Sequence, residues 1–303
     1  MDVYKDSQLN PSDIKLLRLF VHIVRCGGFK AAHEELNIGM STISTQMALL
    51  EERLGMTLCQ RGRGGFLLTP QGQRVFDLAC EFEITVARFR AQLGSLKDKL
   101  VGNLAIGLPD SIVTHPDLCI DYALHLFNRR EHSVEISLRI HKPDEIEEML
   151  IADKLQVGIS VFSERRPELE YHFLTSERHE LYCGRRHPLF GKRRNEITKT
   201  DLEQAPYVTR GYDIIVPGGC GDIRFDVAAV AHDMEAILIM ILSGAYIGHL
   251  PCHYALHLVQ DGELRMISED YPRVSNFQVA FRTDYKETAL LAAFVEDLFR
   301  AHE

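Results

Sequence analysis

The sequence predicts an N-terminal all-α winged helix-turn-helix, a long linker helix, and a C-terminal α/β domain of two lobes. Three observations carry this. Apolar residues recur at helical spacing up to Leu54 and are followed by a Gly/Arg-rich hairpin, a heptad seam runs from Val75 to Leu100, and strands then alternate with helices.

Ser12 suits the N-cap of a first helix, in which Ile14, Leu17, Phe20, Val21 and Val24 form one face before Gly27-Gly28 stops it. A second short helix is predicted over 30–36, where Ala31 and Ala32 let another helix cross closely. Residues 37–40 form the turn, and Ile43, Met47, Leu50 and Leu54 give the inward stripe of a third helix. Ser41, Thr42, Thr45 and Gln46 then face outward near its start. In such a unit this stretch enters the major groove, where Gln bonds adenine edges and Ser or Thr reach bases or phosphates. These four are the candidate base readers. Residues 58–61, 62–65 and 66–69 read as strand, tight loop and strand. Arg61 and Arg63 on this wing, with Lys30 and Arg53, suit phosphate contacts that position the domain without reading sequence.

The order and spacing of these elements from Asp13 to Gln73 resemble the N-terminal domain of LysR-type transcriptional regulators. The resemblance rests on Leu19-Phe20, Gly28-Phe29, Ala31-Ala32, Leu36, Ile43-Ser44, Gln46, Leu50-Glu51-Glu52-Arg53-Leu54-Gly55, Leu58, Arg61 and Leu68-Thr69-Pro70-Gln71-Gly72. The chain departs from the family pattern at Gly39-Met40-Ser41, where many relatives carry Ser-Gln-Pro, and at Thr45, where they carry a basic residue. Cys59-Gln60-Arg61 replaces a frequent Phe-Glu-Arg and removes a negative charge from beside the DNA backbone. The resemblance implies a DNA-binding regulator rather than an enzyme, with double-stranded DNA and RNA polymerase as partners.

Composition fits two or three domains, since 303 residues with 46% hydrophobic content can bury substantial cores. Residues 1–6 lack the basic start and apolar stretch of a signal peptide, and the longest apolar run, 236–242, is too short to span a bilayer. Seven cysteines at irregular spacing, with no CxxC, fit a reducing compartment. A cytoplasmic location with no membrane partner is therefore expected. The net charge of −9 is unevenly spread: the first hundred residues hold 13 basic and 11 acidic groups, the remainder 21 and 32. An acidic body repels DNA and leaves the N-terminal domain as the docking face.

Val75, Ala79, Phe82, Val86, Phe89, Leu93, Leu96 and Leu100 alternate at spacings of four and three, which defines a heptad seam. Thr69-Pro70 can open this helix and Gly102 lies near its end. A narrow apolar stripe on a long helix needs a partner, which makes Phe82, Val86, Phe89, Leu93 and Leu96 the dimerisation candidates. In the resembling family this helix pairs between subunits of a homodimer or homotetramer. Pairing also suits a two-fold operator, because two recognition helices must meet successive major grooves.

Beyond the seam, strands are predicted at 101–108, 134–140 and 157–161, with 111–128 mostly helical and a helix at 143–152. That order implies a parallel sheet with crossovers. A second set follows: strands at 181–183, 207–209, 227–230 and 246–250, a helix at 234–242, a late strand at 277–281 and a terminal helix at 286–300. In the resembling family the late strand returns to the first lobe, as in periplasmic binding proteins. Asp153-Lys154-Leu155, His187-Pro188-Leu189 and Gly248-His249-Leu250-Pro251 extend the resemblance over this part. The predicted division is 1–70 for DNA binding, 71–98 for the linker helix and 99–303 for effector binding. The last divides into lobe I (99–163 and 268–303) and lobe II (164–267).

Ligands of open α/β sheets collect at the carboxyl ends of strands, where helix N-termini present free N–H groups. That points to Asp110, Ser111 and Thr114 in one lobe and to Thr209, Arg210, His232, Met234 and His249 in the other. A small organic acid, an aromatic one included, suits this set: N–H groups and Ser111 for the carboxylate, Arg210 as charge partner, Met234 and Tyr212 for the apolar body. Asp110 opposes an anion unless it is turned away or receives a donor. No cofactor beyond the effector and no metal is expected. Rival constellations are a metal or redox sensor using His249, Cys252, His253 and His257 or Cys220, and a thiol enzyme using Cys220 with His232. The enzyme reading lacks an oxyanion hole, and Asp222 opposes a lowered Cys220 pKa. The glycines of 102–107 lack the Lys-Ser/Thr of a P-loop.

Overall fold

The first helix begins earlier than its sequence suggests. In the computed structural model, which describes residues 10–62, 65–95, 100–211, 223–285 and 288–302, α1 spans Pro11–Arg25 with Asn10 as N-cap. Pro11 has no N–H to lose at the first helical position, and the Asn10 N–H donates to Asp13 Oδ2 at 2.8 Å. Ser12 therefore lies inside the helix, where its hydroxyl accepts from Arg53. Helix α2 (Phe29–Leu36) and helix α3 (Met40–Leu54) follow, separated by a turn in which Asn37 adopts the left-handed conformation. Phe20, Ile23, Ala32, Ile43, Met47 and Leu50 close the core of this three-helix unit.

The wing is an antiparallel pair, β1 (Cys59–Gly62) and β2 (Gly65–Leu68). Glu51 fixes it to α3, accepting from the backbone N–H of Leu58 at 2.7 Å and of Cys59 at 3.2 Å. Helix α4 (Pro70–Ser95) is capped by Thr69, whose hydroxyl accepts from Gly72 N–H and donates to Thr57 O. Gly72 runs so close to the residue before β1 that a Cβ there would lie 1.8 Å from Leu58 O.

The heptad seam is shorter than the spacing predicts. Val75 and Phe76 pack on the helix-turn-helix core, with the Phe76 ring edge-on to Phe20, and Ala79 is buried. Leu100 already belongs to a strand and packs on the core of the following domain. Phe82 and Val86 are half-buried, and Phe89 is 58% exposed. Leu96 and the side chain of Leu93 lie outside the described residues.

Among the described residues, the C-terminal part is built on one eight-stranded sheet in the order β4-β3-β5-β10-β6-β9-β7-β8. Its first half is parallel: β3 (Leu100–Leu108) pairs with β4 (His132–Ile140) and β5 (Val157–Ser160), covered by α5 (Ile120–Asn128), α6 (Pro143–Ile151) and α10 (Ala289–Ala301). Only a short 3-10 turn, Ile112–Thr114, precedes α5 where a longer helix is predicted. Pro116 explains this, because it forces the preceding His115 into extended backbone. The second half carries α7 (Lys199–Gln204), β7 (Pro206–Arg210), β8 (Asp226–Ala231), α8 (Met234–Leu242), β9 (Ile247–Pro251) and α9 (Cys252–Gln260).

Two long antiparallel strands, β6 (Leu169–Gly184) and β10 (Leu264–Arg282), run through both halves. Their length corrects the lobe boundaries. Leu169 and Leu174 pack in lobe I, whereas Ile267 and Tyr271 pack in lobe II. The chain thus changes lobe within the two strands rather than at 163/164 and 267/268.

Candidate functional site

On α3, Ile43, Met47 and Leu50 are drawn into the core, which leaves Ser41, Thr42 and Thr45 exposed and Gln46 half-buried along one outer face. This is the face the sequence assigns to base reading. Gly39 caps α3 without a side-chain bond, and Lys30 is exposed in the first turn of α2. Arg53, assigned to phosphate contact, is also engaged within the domain: its guanidinium bonds Ser12 Oγ at 2.8 Å and pairs with Asp13, tying the end of α3 to the start of α1. Arg63 and the side chain of Arg61 lie outside the described residues.

Between the two lobes lies a cavity of about 630 Å³, lined from lobe I by Asp110, Ser111, Ser160 and Phe162 and from lobe II by Arg210, Met234 and Ile237. It sits at carboxyl ends of strands, as the fold requires. Asp110 does receive donors. Arg210, at the end of β7, pairs with it, and the backbone N–H of Met234, the first residue of α8, donates to it. Both side chains are largely shielded, Arg210 at 13% and Asp110 at 21% exposure. Asp110 thus takes up the Met234 N–H and one nitrogen of the Arg210 guanidinium, and joins the two lobes in doing so.

His249 lines the cavity but has no polar atom to offer. Its Nδ1 meets the Tyr207 hydroxyl at 2.8 Å, and its Nε2 meets the carbonyl oxygen of Tyr271 at 2.8 Å. Because that carbonyl only accepts, Nε2 carries the proton and Nδ1 accepts from the phenol. Burial, aided by the Arg273 charge, pushes its pKa down to about 3, so the ring is neutral. Thr209 is buried outside the cavity lining, and His232 is exposed beside Gly211. Thr114 bridges the lobes, its hydroxyl 2.8 Å from His253 Nδ1.

Two matching domain families decide what these parts belong to. The model described as "LysR substrate binding domain" matches residues 97–302, and "Bacterial regulatory helix-turn-helix protein, lysR family" matches 14–73. The chain belongs to the LysR family of transcriptional regulators. It is 34% identical to the HTH-type transcriptional activator BauR of Pseudomonas aeruginosa over 290 residues, 95% of each chain. It is 23% identical to the regulator CbbR of Xanthobacter flavus, covering 84% of this chain and 77% of that one. The crystal structure of full-length CbnR with its target DNA shares the fold at 22% identity, with a TM-score of 0.64 over 95% of this chain and 99% of that one. A LysR regulator is a DNA-binding protein, not an enzyme, which removes the thiol-enzyme reading.

In this LysR member the two histidines of the rival metal constellation that share a helix have different partners. His253 and His257 do lie on one helix, α9, but His253 is bonded to Glu177 while His257 is 84% exposed and pairs with Asp261. Cys220, Asp222 and Tyr212 lie outside the described residues. The sequence reading missed Glu177, a buried carboxylate held between His179 at 2.7 Å and His253 at 2.8 Å. Burial raises its pKa, but the two histidine bonds outweigh that and bring it to about 2. It also missed Ser160 Oγ and Gln278 Oε1, which are buried at the cavity wall on paired residues of β5 and β10 and make no hydrogen bond among the described residues. The carboxyl-end rule would have found Ser160, the last residue of β5.

Proposed function

We propose that this regulator binds a two-fold operator as a homo-oligomer paired through α4, and that a small organic effector between the lobes alters its grip. The observation that carries the effector reading is the Asp110 bridge to Arg210 and Met234 within the inter-lobe cavity. An effector carboxylate competes with Asp110 for the same donors, so bound and free proteins favour different lobe arrangements. Ser160 Oγ and Gln278 Oε1, at the cavity wall, add hydrogen-bonding capacity for a second polar group on the same molecule. The best fit is therefore a small carboxylate that also carries an amino, amide or hydroxyl group. Coupling to DNA then equals the difference in effector affinity between the two arrangements.

The test is thermal melting of the full-length protein against a panel of small carboxylates with and without a second donor. A ligand at a hundredfold excess over its Kd stabilises by about 2.7 kcal/mol. Stabilisation by such a carboxylate, together with altered salt-dependent operator binding, supports the reading. Response only to molecules without a carboxylate overturns it.

A further inference from the structure

The helix-turn-helix domain carries a side-chain cluster that DNA reading does not use. His22 and Cys26 lie one helical turn apart at the end of α1, where the Cys26 N–H still donates to His22 O at 3.0 Å. Glu35, on α2, reaches across the Gly27-Gly28 turn to both. Its Oε2 accepts from the Cys26 thiol at 3.0 Å, and its Oε1 lies 3.4 Å from His22 Nε2. One donor atom from each residue falls within 4.8 Å of the other two. His22 Nε2 is buried and makes no hydrogen bond among the described residues, so its one polar contact there is the 3.4 Å approach of the Glu35 carboxylate, with the Cys26 thiol close by.

We propose that His22, Cys26 and Glu35 bind a thiophilic divalent cation such as zinc. Imidazole, thiolate and carboxylate are the three donor types that zinc takes in proteins. At bond lengths of about 2.0–2.3 Å, tetrahedral donors stand roughly 3.3–3.8 Å apart. The side chain of Glu35 is 63% exposed and free to make the small adjustment. Binding replaces the thiol proton, which leaves to solvent, by the metal–sulfur bond, and the fourth position is open to water or an exchanging thiol. A shallow cavity of about 280 Å³, lined by Arg18, His22, Arg25 and Glu83, gives access beside the imidazole. The ion would cross-link α1 to α2 over a two-glycine turn, at the entry to the helix pair that sets the recognition helix.

The experiment uses reduced, chelator-stripped full-length protein titrated with Co²⁺ and then Zn²⁺. The expected result is a sulfur-to-cobalt charge-transfer band with tetrahedral ligand-field bands, both bleached by Zn²⁺, and a higher unfolding temperature with zinc. Cys26→Ser should abolish the charge-transfer band, Glu35→Gln should weaken binding by about tenfold or more, and Cys119→Ser should change neither. Circular dichroism checks that each variant is folded. A charge-transfer band that survives Cys26→Ser, or no metal binding at all, overturns the proposal. So does cobalt bound without sulfur and lost in His253→Gln, which would move the ion to His115, Glu177 and His253, whose donor atoms also lie within 4.8 Å of one another.

Discussion

Asp110 and Arg210 form an ion pair across the two lobes, and the Asp110 carboxylate also accepts the first N–H of α8. One side chain from the loop after β3 thus supplies both a counter-charge and a helix cap to the opposite lobe. Asp110→Asn keeps the shape but removes the charge. It should lower stability by about 1–3 kcal/mol and tighten binding of a carboxylate effector about tenfold, since less must be displaced. Calorimetric titration of both proteins checks this; equal affinities would place the carboxylate elsewhere in the cavity.

His249 makes stability depend on pH with a definite sign. Its folded pKa of about 3 lies below the ordinary 6.5, so the unfolded chain binds the extra proton first. Its contribution is complete above pH 6.5 and falls as pH drops from 6.5 towards 3, by up to about 1.4 kcal/mol per pH unit. In His249→Gln the unfolding free energy should fall less steeply between pH 7 and pH 5 than in wild type. Parallel slopes in urea titrations would contradict it.

Gln46 and Lys30 should separate sequence reading from positioning. Loss of a bidentate base contact costs about 1–3 kcal/mol of discrimination. Gln46→Ala should therefore compress the affinity gap between operator and random duplex, whereas Lys30→Ala should weaken both equally and reduce the salt slope. Competition binding at several salt concentrations measures each. An equal loss on both duplexes for Gln46→Ala removes it from the base readers.

Gly72→Ala is expected to be among the most damaging small substitutions in the N-terminal unit. The added methyl would meet the Leu58 carbonyl at 1.8 Å, and a backbone carbonyl has no rotamer by which to yield. A cost of about 3 kcal/mol or more follows. Urea unfolding of the full chain should show a destabilised first transition, and an unchanged curve would mean that α4 shifts freely on the wing.

Phe82 and Phe89 carry the unburied part of the α4 seam, Phe82 half-buried and Phe89 58% exposed. The pair Phe82→Asp with Phe89→Asp should convert the oligomer to monomers in sedimentation. An unchanged sedimentation coefficient would rule out α4 as the pairing surface.

The N-terminal unit was legible because each local signal agreed with its tertiary role. Ile43, Met47 and Leu50 are spaced for a helix and are buried in one. The long strands were not legible, because Glu177, Arg178, His179 and Glu180 interrupt any alternation of apolar residues. Their charges are met instead by neighbours distant in sequence or on the same strand, such as His253 and the Arg178–Glu180 pair. The seam was over-read at both ends for a related reason. Heptad spacing says that Val75 and Leu100 share a face, not whether the partner is another subunit or the chain's own core. In the cavity, residue types were legible but their partners were not: Arg210 was expected to await an anion and is engaged by Asp110, while His249 is saturated by two tyrosines from other strands.

The two long strands set what kind of motion an effector can cause. A hinge made of two loose linkers would let the lobes swing like a door. Here β6 and β10 stay hydrogen-bonded to one another on both sides of the crossing, with register irregularities at Met266/Ser268, Ser268/Arg273 and Phe277/Gln278. Such a ribbon is twisted by its own geometry, and each bulge adds a local bend and further twist. The lobes are thus joined by a paired ribbon rather than by two single strands, and a rearrangement of one lobe against the other has to pass through the twist of that ribbon.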